Sequence, residues 1–112
     1  MRHWSEELVR DRLLARGWIL LDENAVLRRA ELDLVLRDGR TIVAVEVRQR
    51  TRDRYGDVAE TVSARKLARV RAGLRAWVWR RYGRDDVAMR VDVALVRGGR
   101  GAARVEHFES VT

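Results

Sequence analysis

The sequence predicts an α/β protein whose elements follow the order α-β-β-β-α-β-β. Three observations predict this class: a capped helical pattern opens the chain, an Asp-Gly pair lies between two segments rich in Val, Ile and Leu, and a long helical pattern between Ser63 and Gly83 precedes further strands. A chain of 112 residues without a linker or an internal repeat suits one domain, covering residues 1–112.

The two predicted helices are marked by their caps. The first runs from Ser5 as N-cap to Arg16 and ends before Gly17, a residue that accepts the left-handed conformation found after helices. The second runs from Ser63 as N-cap to about Tyr82. The strands are predicted at residues 18–21 with an extension at 26–29 after a turn at 22–24, and at residues 31–36, 42–48, 87–96 and 103–108.

Composition limits the compartment and the partners. The chain has no cysteine, which excludes disulfides and thiolate metal sites and suits the cytosol. Its longest apolar runs, such as residues 18–21 and 42–45, are too short to cross a bilayer or to form a signal peptide. We therefore expect a cytoplasmic protein that has no membrane partner.

Positive charge is concentrated in the middle of the chain. Residues 48–84 contain twelve basic and three acidic side chains, a net charge of +9, whereas the whole chain carries +7. Such a block suits a polyanion such as DNA. A merely solvated helix surface is the other interpretation, although it usually carries acidic partners at i,i+4, which are missing here.

The hairpin around Asp38-Gly39 determines which side chains meet. With these two residues as the centre of a tight turn, Asp33 faces Ala44 and Glu31 faces Glu46. Two carboxylates directly opposite each other destabilise a strand pair, so a positive charge is expected between them.

Two interpretations of these carboxylates remain open. Glu31, Asp33 and Glu46 share a face with Arg29 and Arg48, which are able to neutralise them as a salt-bridged polar surface. Alternatively, the carboxylates hold a divalent cation such as Mg²⁺, which takes oxygen ligands and often needs only one or two carboxylates.

Four segments of the chain carry a joint pattern. They are Ala-Glu-Leu-Asp-Leu-Val at residues 30–35, Val-Glu-Val-Arg-Gln-Arg at 45–50, Ala-Glu-Thr-Val-Ser-Ala-Arg-Lys at 59–66 and Val-Asp-Val-Ala at 91–94. Together they resemble the YraN family of small bacterial proteins, related to Holliday-junction resolvases and restriction-endonuclease-like nucleases. The resemblance implies a restriction-endonuclease-like core with a mixed central sheet flanked by helices, and metal-dependent endonuclease activity on DNA, with branched DNA as a candidate substrate.

The resemblance also implies roles for individual acids. Asp33 and Glu46 correspond to the metal-binding carboxylates, which take Mg²⁺ or Mn²⁺, and Glu31 or Glu6 is expected to complete the ligands. Glu6 has an ordinary explanation too, because acids in a first helical turn are favoured by the helix dipole. In the related nucleases a lysine follows the motif glutamate at the second position, where this chain has Arg48.

Because Arg48 stands where the related nucleases have a lysine, the sequence leaves open whether the protein cleaves DNA. Arginine stabilises negative charge but stays protonated, so it cannot act as a base. Our hypothesis is that Lys66, the only lysine of the chain, partly replaces the motif lysine; simple binding of a backbone phosphate is the other interpretation. The residues expected to contact DNA are Arg50, Arg52, Arg54, Arg65, Lys66 and Arg69.

Two classes of function remain open from the sequence: an endonuclease, and a catalytically weak or inactive nucleic-acid-binding module of the same fold. Trp79 points away from the buried side of the long helix, which makes it a candidate contact in a homodimer; cover by another element of the chain is an equal alternative. A structural role is expected for Asp92, and His3 and His107 are expected to be surface histidines without a catalytic partner.

Overall fold

The computed structural model describes residues 3–50 and 62–112, and in these residues a five-stranded sheet lies between two helices. The mixed α/β class predicted from the sequence is confirmed. None of the described helices is long and apolar enough to cross a membrane. The elements are α1 (Trp4–Ala15), β1 (Ile19–Leu27), β2 (Ala30–Asp38), β3 (Thr41–Arg50), α2 (Ala64–Tyr82), β4 (Met89–Arg97) and β5 (Arg104–Phe108).

The strands follow the order β1-β2-β3-β4-β5, so β3 is central, as the apolar run at 42–45 predicts. β3 and β4 are parallel and the other pairs are antiparallel. A parallel pair needs a long crossover, and α2 lies in the connection between β3 and β4. The central strand is buried along 42–47 because both faces of the sheet are covered.

Each face of the sheet has its own core. α2 packs its predicted stripe, including Val70 and Leu74, on one face, and α1 packs Val9 and Leu13 on the other. Gly73 permits the close approach of α2, because a Cβ at this position would lie 3.1 Å from the Cβ of Ala30. The two helices are thereby fixed on opposite faces of the same strands.

The register predicted for the β2–β3 hairpin is wrong. The two central residues of the turn are 39–40 rather than 38–39, so Val35, and not Asp33, pairs with Ala44. The glycine at the first turn position has a φ of +62°, as in a type II′ turn, whereas the prediction assumed the Asp-Gly form of a type I′ turn. Glu31 is accordingly not the partner of Glu46.

β1 is one strand of nine residues rather than two short pieces separated by a turn. The polar run at 22–24 stays in the sheet because it has partners on other elements: Asp22 Oδ2 accepts a hydrogen bond from Trp77 Nε1 at 2.9 Å. The strand absorbs the run with a register shift between Leu20 and Asp22 and with a positive φ of +49° at Asn24.

The helix caps are as predicted for α2 but not for α1. Ser63 Oγ accepts from the Lys66 N–H at 3.1 Å. In α1 the N-cap is His3, whose Nδ1 accepts from the Ser5 N–H at 3.2 Å, and Ser5 is buried in the first turn. The predicted cap is wrong by two residues because the His3 ring, rather than a serine hydroxyl, accepts the hydrogen bond of the cap.

Candidate functional site

The sheet opens between its second and third strands. The last pair joining β2 to β3 is Leu34 with Val45, and beyond it β2 continues with β1 while β3 continues with β4. We call this opening, formed by residues 30–33 of β2 and 46–50 of β3, the fork. Asp33 and Glu46 are the first residues past the last pair, so they lie where the two strands part.

Asp33 and Glu46 each bind the backbone of the opposite strand. The Asp33 N–H donates to Glu46 Oε2 at 3.3 Å, and the Val47 N–H donates to Asp33 Oδ2 at 2.9 Å. These bonds satisfy backbone groups that lose their strand partner where the fork begins. The two carboxylates are therefore held in place through one oxygen each.

The second oxygen of each carboxylate has no hydrogen-bond partner among the described residues. Glu46 is fully buried, and its Oε1 is buried without a partner. Asp33 is partly buried, and no hydrogen bond joins its Oδ1 to the rest of the described chain. Burying an unpartnered carboxylate oxygen is costly, and hard divalent cations bind such oxygens. The donor set fits Mg²⁺ or Mn²⁺.

The fork raises the pKa of both carboxyl groups. Burial, followed by the charge of Asp33, raises the pKa of Glu46 to about 7. Burial also raises the pKa of Asp33, and the charge of Glu6 adds to the increase. Arg48 and Lys66 lower both pKa values, so both positive charges act on the two carboxyl groups of the fork. Strongly shifted carboxyl groups are typical of functional sites.

Two helices and two strands supply these side chains. Glu6 comes from the first turn of α1 and Lys66 from the first turn of α2, so the N-terminal ends of both helices lie at the fork. Arg48 lies two residues beyond Glu46, and its Nε is buried without a partner among the described residues. The residues proposed from the sequence that the fork brings together are Glu6, Asp33, Glu46, Arg48 and Lys66.

Glu31 lies farther out than the sequence predicts. It is exposed, and it pairs with Val26 of β1. Asn24 links it to the site, because Asn24 Nδ2 donates to Glu6 Oε1 at 2.9 Å and lies 3.5 Å from Glu31 Oε1. Sequence reasoning misses Asn24; its signal is that asparagine accepts a positive φ better than most residues.

The basic residues proposed to contact DNA lie on α2, at the end of β3 and outside the described residues. Arg65 and Arg69 are exposed on α2, which has no acidic residue along its length. Arg50 ends β3, where its carbonyl accepts from the Gly98 N–H at 3.1 Å. Arg52 and Arg54 lie outside the described residues.

A second acidic group lies beside β4 and β5. Ligand atoms of Asp92, His107 and Glu109 lie within 4.8 Å of one another, a spacing that suits a metal ion. However, Asp92 Oδ1 already accepts from Arg90 Nε at 3.1 Å and from the Ser110 N–H at 3.0 Å, and Oδ2 lies 2.7 Å from His107 Nε2. His107 is thus a half-buried partner of Asp92, which corrects the prediction of a surface histidine.

The chain matches known proteins over most of its length. Residues 5–96 match the family described as "Uncharacterised protein family UPF0102". A UPF0102 protein of Anaeromyxobacter dehalogenans is 45% identical over 104 residues, which cover 93% of this chain and 77% of the relative. One of Frankia alni is 42% identical over 106 residues, covering 94% and 88%, and one of Pelotomaculum thermopropionicum is 40% identical over 110 residues, covering 95% and 89%. The matched segment contains every residue of the fork.

Proposed function

This chain belongs to the UPF0102 family, the YraN family that its motifs resemble, and we propose that it is an endonuclease that hydrolyses DNA phosphodiester bonds with Mg²⁺ or Mn²⁺. The observation that carries the proposal is the buried Oε1 of Glu46, which has no hydrogen-bond partner among the described residues and lies in the fork beside Asp33. A central sheet with a helix on each face and the acids on its second and third strands supports a restriction-endonuclease-like core.

Three acids are proposed to hold the cation. Glu46 through Oε1 and Asp33 through Oδ1 are the principal ligands, and Glu6 approaches from α1. When bound, the cation polarises the phosphate and lowers the pKa of a water molecule. Glu46 must release its proton before it binds a cation, because its pKa is raised to about 7.

Lys66 and Arg48 both supply positive charge to the two acids. Lys66, at the N-terminal turn of α2, lies where backbone N–H groups also favour an anion, so we assign it to the charge that develops on the phosphate. Arg48 is suited to a bidentate grip on phosphate oxygens, and its Nε, which has no partner among the described residues, leaves a donor for that contact. Neither role requires Arg48 to lose a proton.

The test is a cleavage assay on plasmid, linear duplex, single-stranded and four-way-junction DNA, with Mg²⁺, Mn²⁺ or EDTA. We expect cleavage with either cation and none with EDTA. Asp33→Asn and Glu46→Gln should each reduce the rate at least about a hundredfold, since each removes a ligand charge. Glu109→Gln is the matched control, because it removes an acid of the second group, and it should retain the wild-type rate. Equal activity in all four proteins would refute the proposal.

The alternative is a nucleic-acid-binding module that does not cleave, and the arginine at position 48 favours it. If Arg48 limits turnover, Arg48→Lys should raise the cleavage rate. Lys66→Ala should lower the rate by more than it weakens DNA binding; a tenfold change corresponds to about 1.4 kcal/mol of barrier. DNA binding without cleavage by either the wild type or Arg48→Lys would favour the binding module.

A further inference from the structure

Trp79 is exposed, and α2 packs on the sheet without it. Its side chain is 59% exposed, whereas Trp77, two residues earlier, is buried and donates to Asp22 Oδ2. The two rings therefore have different environments: Trp77 fixes α2 to β1, and Trp79 faces solvent. A large exposed aromatic ring on a strongly basic helix suggests a contact with another molecule.

The surface in front of Trp79 is open because the neighbouring residues are small. Ala76 and Ala72 precede it by about one and two helical turns on the same outward side of α2. With Trp79 they line a shallow depression of about 650 Å³. An aromatic ring and two small alanine side chains are thus among the residues that line the depression.

Three arginines share the depression with this ring. Arg28, Arg75 and Arg80 also line the depression, and none of them has an ion-pair or hydrogen-bond partner in the described part of the chain. The one acidic residue among the lining side chains of this part is Asp85, so the surface keeps a positive charge. An aromatic platform beside unpaired arginines matches a nucleotide, whose base stacks on the ring while its phosphates meet the guanidinium groups.

The fork and the depression lie toward opposite ends of α2. From Lys66 to Trp79 the helix rises roughly 20 Å; Arg69 is exposed between them, and Arg65 is exposed beside Lys66. We propose that this outward face of α2 binds a single-stranded segment of nucleic acid, with Trp79 stacking on an unpaired base. The inference rests on the DNA binding in the proposed function and adds that the substrate carries unpaired nucleotides, since a base in a duplex offers no free face.

A second copy of the chain suits this surface less well. A symmetric dimer through the same patch would bring the arginines of both copies, Arg28, Arg75 and Arg80, into one interface. Like charges at such a contact oppose association, whereas a polyanion neutralises them. Charge complementarity therefore favours nucleic acid as the occupant.

Fluorescence anisotropy with labelled oligothymidylate and with a duplex of equal length, both in EDTA, tests the inference. Trp79→Ala should weaken binding of the single strand about tenfold, within the range for loss of one stacked base, and change duplex binding less than about twofold. Trp79→Phe should retain most of the affinity. Arg75→Ala should weaken single-strand binding more than Arg100→Ala, a matched loss of an exposed arginine near α1.

Several outcomes would overturn the inference. They are an equal loss for both DNA forms, no loss for the single strand, and a wild-type dimer that Trp79→Ala dissociates in analytical ultracentrifugation, which would assign the surface to self-association. Because the assay contains EDTA, it does not depend on cleavage. Loss of cleavage with intact Trp79-dependent binding would reject the endonuclease alone, and cleavage without Trp79-dependent binding would reject this inference alone.

Discussion

Glu46 and Asp92 are both fully buried carboxylates on neighbouring strands of one sheet, but their surroundings differ. Asp92 has a guanidinium, an imidazole and a backbone N–H as partners, so that both of its oxygens are satisfied. Glu46 has one backbone N–H, and its other oxygen has no partner in the described residues. Burial alone raises the pKa of either group, yet hydrogen bonds lower the pKa of Asp92 whereas that of Glu46 rises.

The comparison separates a structural acid from a candidate functional one. Asp92 joins Arg90 of its own strand, His107 of β5 and the Ser110 backbone, which ties the C-terminal segment to the sheet. Glu46 destabilises the fold while it is charged, and such local costs are typical of sites that bind a ligand. Acidic residues within metal-binding distance are therefore a weaker sign of a metal site than an oxygen that the fold leaves unpartnered.

The largest expected effect concerns stability. Asp92→Ala should lower the free energy of unfolding by about 3–5 kcal/mol, because it leaves the half-buried Arg90 and His107 side chains without their carboxylate. Glu46→Gln should cost less than about 1 kcal/mol at pH 8, or stabilise the protein, because it removes an uncompensated buried charge. Urea unfolding of both variants measures the contrast. Similar losses in the two would remove the distinction between the two carboxylates.

A second prediction uses pH. The pKa of Glu46 rises from 4.5 to about 7 on folding, so the native state binds this proton more tightly than the unfolded state does. Its contribution to stability is therefore greatest below pH 4.5 and is lost as the pH rises through 7, a decrease of roughly 3 kcal/mol. Urea unfolding between pH 5 and pH 8, without metal, should show this decrease in the wild type and a smaller one in Glu46→Gln. Parallel curves would contradict the raised pKa.

Local signals account for the parts of the fold that the sequence predicts well. Ser63 and the apolar stripe of α2 act within a few residues, and the run at 42–45 identifies the central strand. The prediction fails for β1, since the polar residues at 22–24 are held by Trp77 and Glu6, which come from the two helices. A pattern confined to neighbouring residues cannot show partners this far along the chain.

The site is predictable in its composition more than in its geometry. The opposed strands place Asp33 and Glu46 on one face. Each carboxylate accepts a hydrogen bond from a backbone N–H of the other strand only because β2 and β3 separate at this point, and no local motif marks that separation. His107 and Asp92 meet because β5 pairs with β4 across the Gly-rich turn. Both relationships follow from strand register, where sequence reasoning is weakest.

The third prediction asks which acidic group binds metal. Mn²⁺ should raise the melting temperature of the wild type by several degrees, since a hundredfold excess over the dissociation constant adds about 2.7 kcal/mol of stability. The rise should be larger at pH 8 than at pH 6, because Glu46 must be deprotonated to bind. Asp33→Asn should abolish it, and Glu109→Gln should not. The reverse result would place the ion at the group of Asp92, His107 and Glu109.

The smallest expected effect concerns Asn24, which holds Glu6 through a hydrogen bond of 2.9 Å while its own backbone has a φ of +49°. Asn24→Gly keeps a backbone that accepts this φ and removes only the amide, so it should weaken Mn²⁺ binding about tenfold in calorimetry with little change in unfolding free energy. Asn24→Ala should show the same loss of affinity and also lose about 1 kcal/mol of stability.

Ser110 offers the matched control, because it has a φ of +53° and its N–H donates to Asp92. Ser110→Gly retains that N–H and relieves the backbone, so Mn²⁺ affinity should be unchanged and stability unchanged or slightly higher. If Asn24→Gly binds Mn²⁺ as tightly as Ser110→Gly, the amide of Asn24 does not position a metal ligand. Glu6 would then be an ordinary first-turn acid of α1, and the cation site would reduce to Asp33 and Glu46.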